Sequence, residues 1–351
     1  MSKFTANKGL TFDDVLIVPK YSEIKSRSDV ITTRGTIGMP LIPANMDTIT
    51  GVAMWHHIAK QGGFGILHRY MPIEELKVCL ASIDLRANKE GFDPSGEYFV
   101  SVGILDNDKA RIDELIEQNS NDCHFCVVNY CIDVAHGDCR AVLDTIEYIR
   151  NGDCSLPIII AGNVATKDAA RRLFKAGADI AKVGIGPGSV CSTRIKTGVG
   201  VPQLTAIMEC AQEGKIIADG GFKHVGDCVK ALAVSKNVIG CMSGSLFAGT
   251  DLTPIWEGVG IHCEYRGMAS KEAQIAFKGK FANTEGISST LYGKPKGSTQ
   301  DVINEFLEGL RSAMSYVGCT EMLDFADCCQ FMEVSSHTSM ENIPHFGVHK
   351  K

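Results

Sequence analysis

The fold can be worked out from a glycine-rich stretch in the middle of the chain. Asp179-Ile180-Ala181-Lys182-Val183 runs directly into Gly184-Ile185-Gly186-Pro187-Gly188-Ser189-Val190-Cys191-Ser192-Thr193-Arg194. The first five residues have the apolar character of a buried strand. Three glycines at alternate positions leave a nearly bare backbone, which suits tight turns and the close approach of a ligand. The stretch predicts a strand that delivers a loop, and the cysteine on that loop is a candidate nucleophile.

This strand is one of eight short apolar runs that alternate with amphipathic helical segments. The predicted strands are 41–44, 64–67, 98–102, 125–133, 157–161, 180–184, 216–218 and 238–242. The predicted helices among them are 52–60, 73–83, 109–118, 140–151, 167–176, 202–212 and 225–234. Eight buried strands in alternation with helices predict an α/β protein with a (β/α)8, or TIM, barrel rather than an open doubly wound sheet.

Polar residues and glycines follow most of the predicted strands, at the end of a barrel where active sites lie. They include Asn45, Arg69-Tyr70, Asp133, Asn163, Asp219-Gly220-Gly221 and Gly244-Ser245. One Asp or Asn at such a place is often only a helix cap, but their recurrence at successive strands favours an active site. The glycine turns after the last two strands predict a phosphate site, with tight turns as the alternative.

The regular alternation stops after the eighth strand. Residues 251–297 are too long for a simple connection, so we interpret them as a lid over the strand ends. A helix is predicted at 299–316, and the polar tail at 333–351 is expected to be loosely ordered. We interpret residues 1–351 as a single catalytic barrel domain.

The composition excludes several classes of protein. The net charge of −6 gives no basic surface for nucleic acid. No apolar run approaches the ~20 residues of a membrane span, and the N-terminus lacks the apolar core of a signal peptide. Fourteen cysteines are dispersed along the chain, which favours reduced thiols and a cytoplasmic location. Cys123-His124-Phe125-Cys126 has metal or redox spacing, but core packing is the better interpretation because no second ligand pair lies nearby.

The loop and the lid together offer a set of catalytic groups. A thiolate at Cys191 is a strong nucleophile, and the nearby cation of Arg194 favours its formation. Thr193 can move a proton if a carboxylate orients it, and Glu285 of the predicted lid is a candidate. The alternatives are a core cysteine, a helix-capping threonine and a solvated glutamate.

The motifs closely resemble those of the IMP dehydrogenase / GMP reductase family. The residues from Gly184 to Cys191 are similar to the family's catalytic loop. Further matching stretches are 10–16, 26–28, 45–47, 133–137, 161–164, 219–221, 265–270 and 310–312. Because these matches are ordered and run through nearly the whole chain, chance similarity is implausible.

The resemblance implies a (β/α)8 barrel in homotetramers and an attack by Cys191 on C2 of a purine nucleotide, which gives a covalent thioimidate. The family has two branches. One oxidises IMP with NAD and hydrolyses the adduct to XMP. The other expels ammonia from GMP and takes a hydride from NADPH, which yields IMP.

Four features favour the reductase branch. The stretch 82–98 is too short for the tandem CBS regulatory module of most dehydrogenases. The segment between Ser270 and Glu285 lacks the Arg-Tyr pair that activates water in dehydrogenases. Cys191-Ser192-Thr193-Arg194 is similar to the reductase pattern Cys-Thr-Thr-Arg. The lid is short, and Asn283-Thr284-Glu285-Gly286 lies where reductases keep a glutamate paired with the threonine.

The resemblance also assigns ligand contacts. Catalysis falls to Cys191, Thr193 and Glu285. The residues implied for GMP are Asn45, Asn163, Ser189, Asp219, Gly220, Gly221, Gly244, Ser245, Gly267, Met268, Ser270, Glu285 and Gly286. Those implied for NADPH are Ser26, Arg27, Arg69, Tyr70, Asp133, Val134, Ala135, Ile185, Gly186, Ser312, Ala313, Met314 and Ser315, with Ser26 and Arg27 reaching it from an adjacent subunit. Apart from the resemblance, the backbone carbonyls of Gly186, Gly188, Cys191 and Arg194 are candidate ligands of a monovalent cation such as potassium.

Two alternatives remain open at this point. The first is an IMP dehydrogenase without its CBS module, which would convert IMP and NAD to XMP. The second is a purine nucleotide-binding barrel without catalytic activity.

Overall fold

Eight parallel strands form one sheet, and a lid and a terminal strand pair are added to it. The computed structural model describes residues 8–33, 38–91, 98–121, 128–254, 256–258, 260–292, 296–335 and 338–342. The strands are β1 (Val15–Ile17), β2 (Leu41–Pro43), β3 (Ile66–Leu67), β4 (Phe99–Val102), β5 (Asn129–Asp133), β6 (Ile159–Val164), β7 (Ile180–Val183), β8 (Ile216–Asp219), β9 (Val238–Ser243), β10 (Trp256–Gly258), β11 (Gly260–Arg266), β12 (Ser288–Tyr292) and β13 (Phe331–Glu333).

The helices comprise those that the sequence predicts, in the predicted order, and four short ones that it does not predict, after the glycine loop, in the lid and near the C-terminus. They are α1 (Val52–Lys60), α2 (Ile73–Glu90), α3 (Asp106–Asn121), α4 (Arg140–Gly152), α5 (Lys167–Ala176), α6 (Thr193–Thr197), α7 (Gln203–Cys210), α8 (Val225–Leu232), α9 (Lys271–Lys278), α10 (Thr299–Tyr316), α11 (Phe325–Cys328) and α12 (Thr338–Glu341). In the part of the chain that the structure describes, no helix is both long and apolar enough to cross a membrane.

The strand order of the main sheet is β2-β9-β8-β7-β6-β5-β4-β3, and every neighbouring pair is parallel. The two edge strands approach each other where the amides of Gly38 and Met39 donate to the carbonyl of Gly62, at 2.7 and 3.3 Å. The sheet therefore curls into a nearly closed barrel, and the predicted (β/α)8 fold is confirmed.

Two layers of apolar side chains hold the barrel together. Ile160 and Ile217 belong to a cluster inside the barrel, and both are fully buried. A larger cluster lies between the strands and the surrounding helices and includes Trp55, Tyr130 and Phe306. Because each strand contributes side chains alternately to the two clusters, both faces of the sheet are apolar, as is usual for parallel sheets.

Local sequence signals explain why some helix boundaries are predicted well. Helix α5 has the predicted bounds, and the Thr166 hydroxyl at its start accepts a hydrogen bond from Ala169 N at 3.3 Å. Helix α2 continues to Glu90, seven residues beyond the predicted end at Ile83. The apolar periodicity ends there, but good helix formers follow, and Arg86 pairs with Glu90 one turn on.

The segments outside the barrel are more regular than the sequence predicts. The lid contains the antiparallel sheet β10-β11-β12 and helix α9. Strand β13 at the start of the predicted tail pairs antiparallel with β1, which ties the two ends of the described chain together. Residues 123–126, with the CxxC spacing, lie outside the described residues.

The interior cluster gives a stability prediction. Ile217→Ala removes buried methyl groups inside the barrel and leaves a cavity, so we expect the free energy of unfolding to fall by about 2–5 kcal/mol. Val78→Ala on the exposed face of α2 is the control, with an expected change within about 0.5 kcal/mol. Urea denaturation followed by circular dichroism measures both, and equal changes in the two variants would contradict this account of the core.

Candidate functional site

Two glycines position the loop that follows β7. Gly184 has a φ of +152°, and a Cβ there would lie 2.1 Å from the carbonyl oxygen of Asp219 at the end of β8. Gly186 has a φ of +78°, and a Cβ there would lie 2.5 Å from Cγ of Arg194. Since glycine has no side chain, the loop can pack tightly against β8 and α6 at both positions. This packing carries Cys191 to the strand-end face of the barrel.

Cys191, Thr193 and Glu285 form one line of contacts. Sγ of Cys191 lies 3.2 Å from Oγ1 of Thr193. The Thr193 hydroxyl donates to Oε2 of Glu285 at 2.8 Å. Since the hydroxyl proton points at the carboxylate, the oxygen lone pairs are free to accept the thiol proton. The three side chains therefore offer a path along which a proton can move between sulfur and carboxylate.

Backbone pairing holds the lid segment against this loop. The amide of Ser192 donates to the carbonyl of Glu285, and the amide of Ile287 donates to the carbonyl of Val190, both at 2.9 Å. The ammonium of Lys196 donates to both the carbonyl and the hydroxyl of the residue before Glu285. The position of the Glu285 side chain is thus set by main-chain contacts on both sides of it.

The loop, the lid and the strand ends enclose a cavity of about 250 Å³. The residues predicted for catalysis or a ligand that line it are Asn45, Arg69, Tyr70, Asp133, Val134, Ala135, Asn163, Ile185, Gly186, Gly188, Ser189, Cys191, Thr193, Asp219, Gly220, Gly221, Gly244, Ser245, Gly267, Met268, Glu285 and Gly286. The geometry thus brings together most of the side chains that the sequence singles out. Their individual roles stay predictions.

Other predicted residues lie elsewhere. Ser270 is fully buried and caps α9, where its hydroxyl accepts from Ala273 N at 3.2 Å. Met314 is fully buried in the core. Arg27 is exposed and lies 5.8 Å from the ring centroid of Tyr316, at the end of the helix that carries 312–315. Ser26, Arg27 and this helix end therefore form a separate group, which does not line the cavity of its own chain.

The end of the cavity predicted for phosphate carries amides and hydroxyls. Among the described residues, the amides of Gly221, Gly244 and Ser245 donate to no protein acceptor. The Ser189 hydroxyl lies 2.7 Å from that of Tyr265. Tyr265 lies in the matching stretch 265–270 but is not among the residues predicted to contact a ligand. An array of free amides and hydroxyls suits an anion.

The floor of the cavity contains a buried ion triad that the sequence analysis missed. Lys182 is 2% exposed, and its Nζ lies 2.8 Å from Oδ1 of Asp133 and 2.7 Å from Oδ2 of Asp219. Asn163 also donates to Oδ2 of Asp219 at 2.8 Å. Burial alone would lower the pKa of Lys182, but the two carboxylates outweigh it and raise that pKa. A lysine inside an otherwise apolar predicted strand was the available signal.

The side of the cavity predicted for the cofactor fits a nicotinamide nucleotide. The guanidinium of Arg69 lies 5.0 Å from the ring centroid of Tyr70, and its Nε is buried without a partner among the described residues. Burial opposes ionisation of Asp133, but the charges of Lys182 and Arg69 outweigh it and hold its pKa below the usual value. An unpaired donor, an aromatic ring and an ionised carboxylate match the amide, ring and hydroxyl groups of such a molecule.

Two of the four carbonyls predicted to bind potassium already accept hydrogen bonds from amides of the protein. The carbonyl of Gly188 accepts from Cys191 N, and that of Arg194 accepts from Gly198 N, both at 3.0 Å. The guanidinium of Arg194 donates to the carbonyls of Ile185 and Val201 beside the same loop. In the described ranges no group of three or more His, Cys, Asp or Glu residues forms a metal site. The potassium ion stays a prediction, and no step below depends on it.

Comparison with known proteins identifies the family. Residues 9–345 match the model of the IMP dehydrogenase / GMP reductase domain. The chain is 39% identical to a GMP reductase of Ligilactobacillus salivarius over 328 residues, which cover 89% of this chain and 92% of the relative. It is 32% identical to an inosine-5'-monophosphate dehydrogenase of Bacillus subtilis over 479 residues, with 98% and 96% covered. The dehydrogenase of Cryptosporidium parvum is 32% identical over 391 residues, with 96% and 95% covered.

The alignment lengths differ between the two kinds of relative. The two dehydrogenase alignments are longer than the 351 residues of this chain, so those relatives carry residues without a counterpart here. Both kinds of relative match nearly the whole chain. The chain therefore belongs to the IMP dehydrogenase / GMP reductase family, whose members are oxidoreductases that act on GMP or IMP with a nicotinamide cofactor.

Proposed function

We propose that this chain is a GMP reductase that converts GMP to IMP and ammonia with NADPH. The observation that carries the proposal is the line of contacts from Cys191 through Thr193 to Glu285. The lid residues 271–284 beside it contain neither arginine nor tyrosine. A departing amine needs a proton, which this line can supply, whereas hydrolysis needs a group that activates water. The resemblance assigns that second role to an Arg-Tyr pair.

The first step is nucleophilic attack. The thiol proton of Cys191 passes to Oγ1 of Thr193 while the hydroxyl proton moves to Glu285, and sulfur bonds to C2 of GMP. The same two residues then return a proton to the 2-amino group, and the C2–N bond breaks as ammonia leaves. The nucleotide remains attached to Cys191 as a thioimidate. The protons balance, because the one that leaves the thiol of Cys191 is matched by the one that Thr193 and Glu285 return to the departing amine.

The second step replaces sulfur by hydrogen at C2. When bound, NADPH would supply a hydride to this carbon and become NADP⁺. The C–S bond then breaks, IMP is released and Cys191 leaves as a thiolate. The loop and lid segments are paired on both sides of Cys191, which limits the access of water to this carbon.

The remaining predictions complete the proposal. Asp219 and the glycine turns after β8 and β9 hold the ribose and phosphate of GMP. Asp133, Arg69 and Tyr70 hold the nicotinamide side of NADPH. The protein acts as a cytoplasmic homotetramer of single barrel domains without a CBS module, and Ser26 and Arg27 reach the cofactor of an adjacent subunit.

The two branches of the family can be separated by the absorbance of the nicotinamide. With GMP and NADPH we expect the absorbance of the reduced cofactor to fall, and with IMP and NAD we expect no comparable rise. The reverse pattern would identify an IMP dehydrogenase. Tight binding of GMP without turnover in either mixture would identify a nucleotide-binding barrel without catalytic activity. NADH in place of NADPH measures the cofactor preference.

Replacement of Thr193 tests the proton path. Thr193→Val keeps the shape of the side chain but removes the hydroxyl between Cys191 and Glu285, so we expect kcat to fall by about 10²–10⁴-fold. The KM for GMP should change little. Thr193→Ser restores the hydroxyl and should recover most of the activity. A Val variant with the kcat of the wild type would exclude the path.

Mixing of subunits tests the contribution of Arg27 to a neighbouring site. Cys191→Ala and Arg27→Ala should each be inactive or strongly impaired as a homo-oligomer. When the two are unfolded together and refolded, hybrids should contain sites with an intact Cys191 and an intact Arg27 from another subunit, so activity should reappear. Analytical ultracentrifugation gives the size of the hybrids. Mixed oligomers without activity would place Arg27 outside the neighbouring site.

A further inference from the structure

Lys182 joins the two sides of the cavity through one buried nitrogen. It comes from β7, Asp133 from β5 and Asp219 from β8, and Nζ is within 2.8 Å of both carboxylates. Asp133 is followed by Val134 and Ala135 on the side proposed for the cofactor. Asp219 is followed by the glycine turn proposed for the nucleotide. One cation therefore serves both ligand sites.

Two partly buried carboxylates that share one ammonium group repel each other once that group is removed, and the pair then takes up a proton more readily. Burial and the neighbouring negative charge each favour the protonated form of a carboxyl group. A protonated carboxyl group accepts fewer hydrogen bonds than a carboxylate, and ligand hydroxyl groups need acceptors. The side chains of Asp133 and Asp219 are 18% and 19% exposed, so water screens them only partly.

We propose that Lys182 is a positioning residue whose charge keeps the Asp133–Asp219 pair from taking up a proton and holds both carboxylates in place, so that protonation of this pair does not weaken purine nucleotide binding near neutrality. Lys182 needs no contact with the ligand for this role. The proposal rests on the nucleotide site proposed above and adds a residue that acts through two others.

The other titratable groups around the triad do not explain such a pH dependence. They are the thiol of Cys131 on β5, the guanidinium of Arg69 after β3 and the phenol of Tyr265 on β11. Burial raises the pKa of Cys131 and of Tyr265, so both stay neutral between about pH 5 and pH 9. Arginine stays charged throughout that range.

The test is the dissociation constant of GMP and of IMP, measured by calorimetry from about pH 5 to pH 9 for the wild type, Lys182→Met and Lys182→Arg. The phosphate of either ligand titrates near pH 6 in every sample. Its effect therefore cancels when the dissociation constant of a variant is divided by that of the wild type at the same pH, and this quotient is the ratio used below. Without the ammonium group, a carboxyl pKa rises and the ionised form is lost as the pH falls.

We expect the ratio for Lys182→Met to be at least about tenfold larger at pH 6 than at pH 9, which requires about nine-tenths of one carboxyl group to be protonated at pH 6 in the variant. Lys182→Arg keeps the positive charge, so its ratio should not change with pH, even if the larger arginine side chain weakens binding at every pH. A ratio for Lys182→Met that is the same at every pH would overturn the proposal, because a purely structural defect has no such dependence.

A second pair of variants covers the possibility that Lys182→Met does not fold. Asp133→Asn and Asp133→Asn/Lys182→Met remove one buried negative charge in both proteins and differ only in the lysine. We expect the dissociation constant of the double variant, divided by that of the single variant, to rise as the pH falls, and a quotient that is the same at every pH would overturn the proposal. Wild-type protein that binds neither GMP nor IMP would overturn the proposed function as well, whereas binding without the lysine effect would overturn only this inference.

Discussion

The site depends on the hydrogen bond between Thr193 and Glu285, which joins two segments 92 residues apart in the chain. Thr193 opens the short helix after the glycine loop, and Glu285 lies in the segment that leads to the last strand of the lid. Main-chain bonds on either side of this contact make it one feature of a small paired structure. The lid is thereby part of the proposed catalytic site, because it supplies the carboxylate of this path.

The barrel supplies the second constraint. Since all eight strands are parallel, their carboxyl ends meet at one face, and residues distant in sequence become neighbours. Asp133, Lys182 and Asp219 come from three different strands and form a buried triad below the cavity. The glycine turns above it leave amides available. The arrangement separates a charged floor from an end that suits an anion, as a nucleotide with hydroxyls and a phosphate requires.

Much of the fold could be predicted from the sequence, because the alternation of apolar runs and amphipathic segments is regular. Helices with clear boundary signals, such as α5 after Thr166, have the predicted bounds. Helix α2 is longer than predicted because its last residues are polar helix formers without an apolar stripe. The lid sheet was missed, since its strands pair with each other rather than with the barrel and lack the repeat that identified the barrel strands.

The candidate site, like the fold, could be predicted only in part. Cys191, Thr193 and Glu285 were found because their residue types suit the chemistry and the motifs resemble a known family. Lys182 was overlooked since it lies within a strand that looks apolar, and only the fold shows that its neighbours are two carboxylates. Tyr265 was passed over because its contact with Ser189 crosses 76 residues of chain. Long-range pairings of this kind leave little trace in local sequence.

The central claim is that ammonia leaves from GMP and is replaced by hydrogen at C2 on Cys191. The most direct measurement is a single turnover with GMP labelled with 15N in the 2-amino group and with NADPH, quenched and analysed by mass spectrometry. The account predicts an amount of labelled ammonia equal to the sum of IMP and of a nucleotide adduct on Cys191 that has lost the label. An unlabelled ammonia pool and no adduct, with XMP formed from IMP and NAD instead, would contradict it.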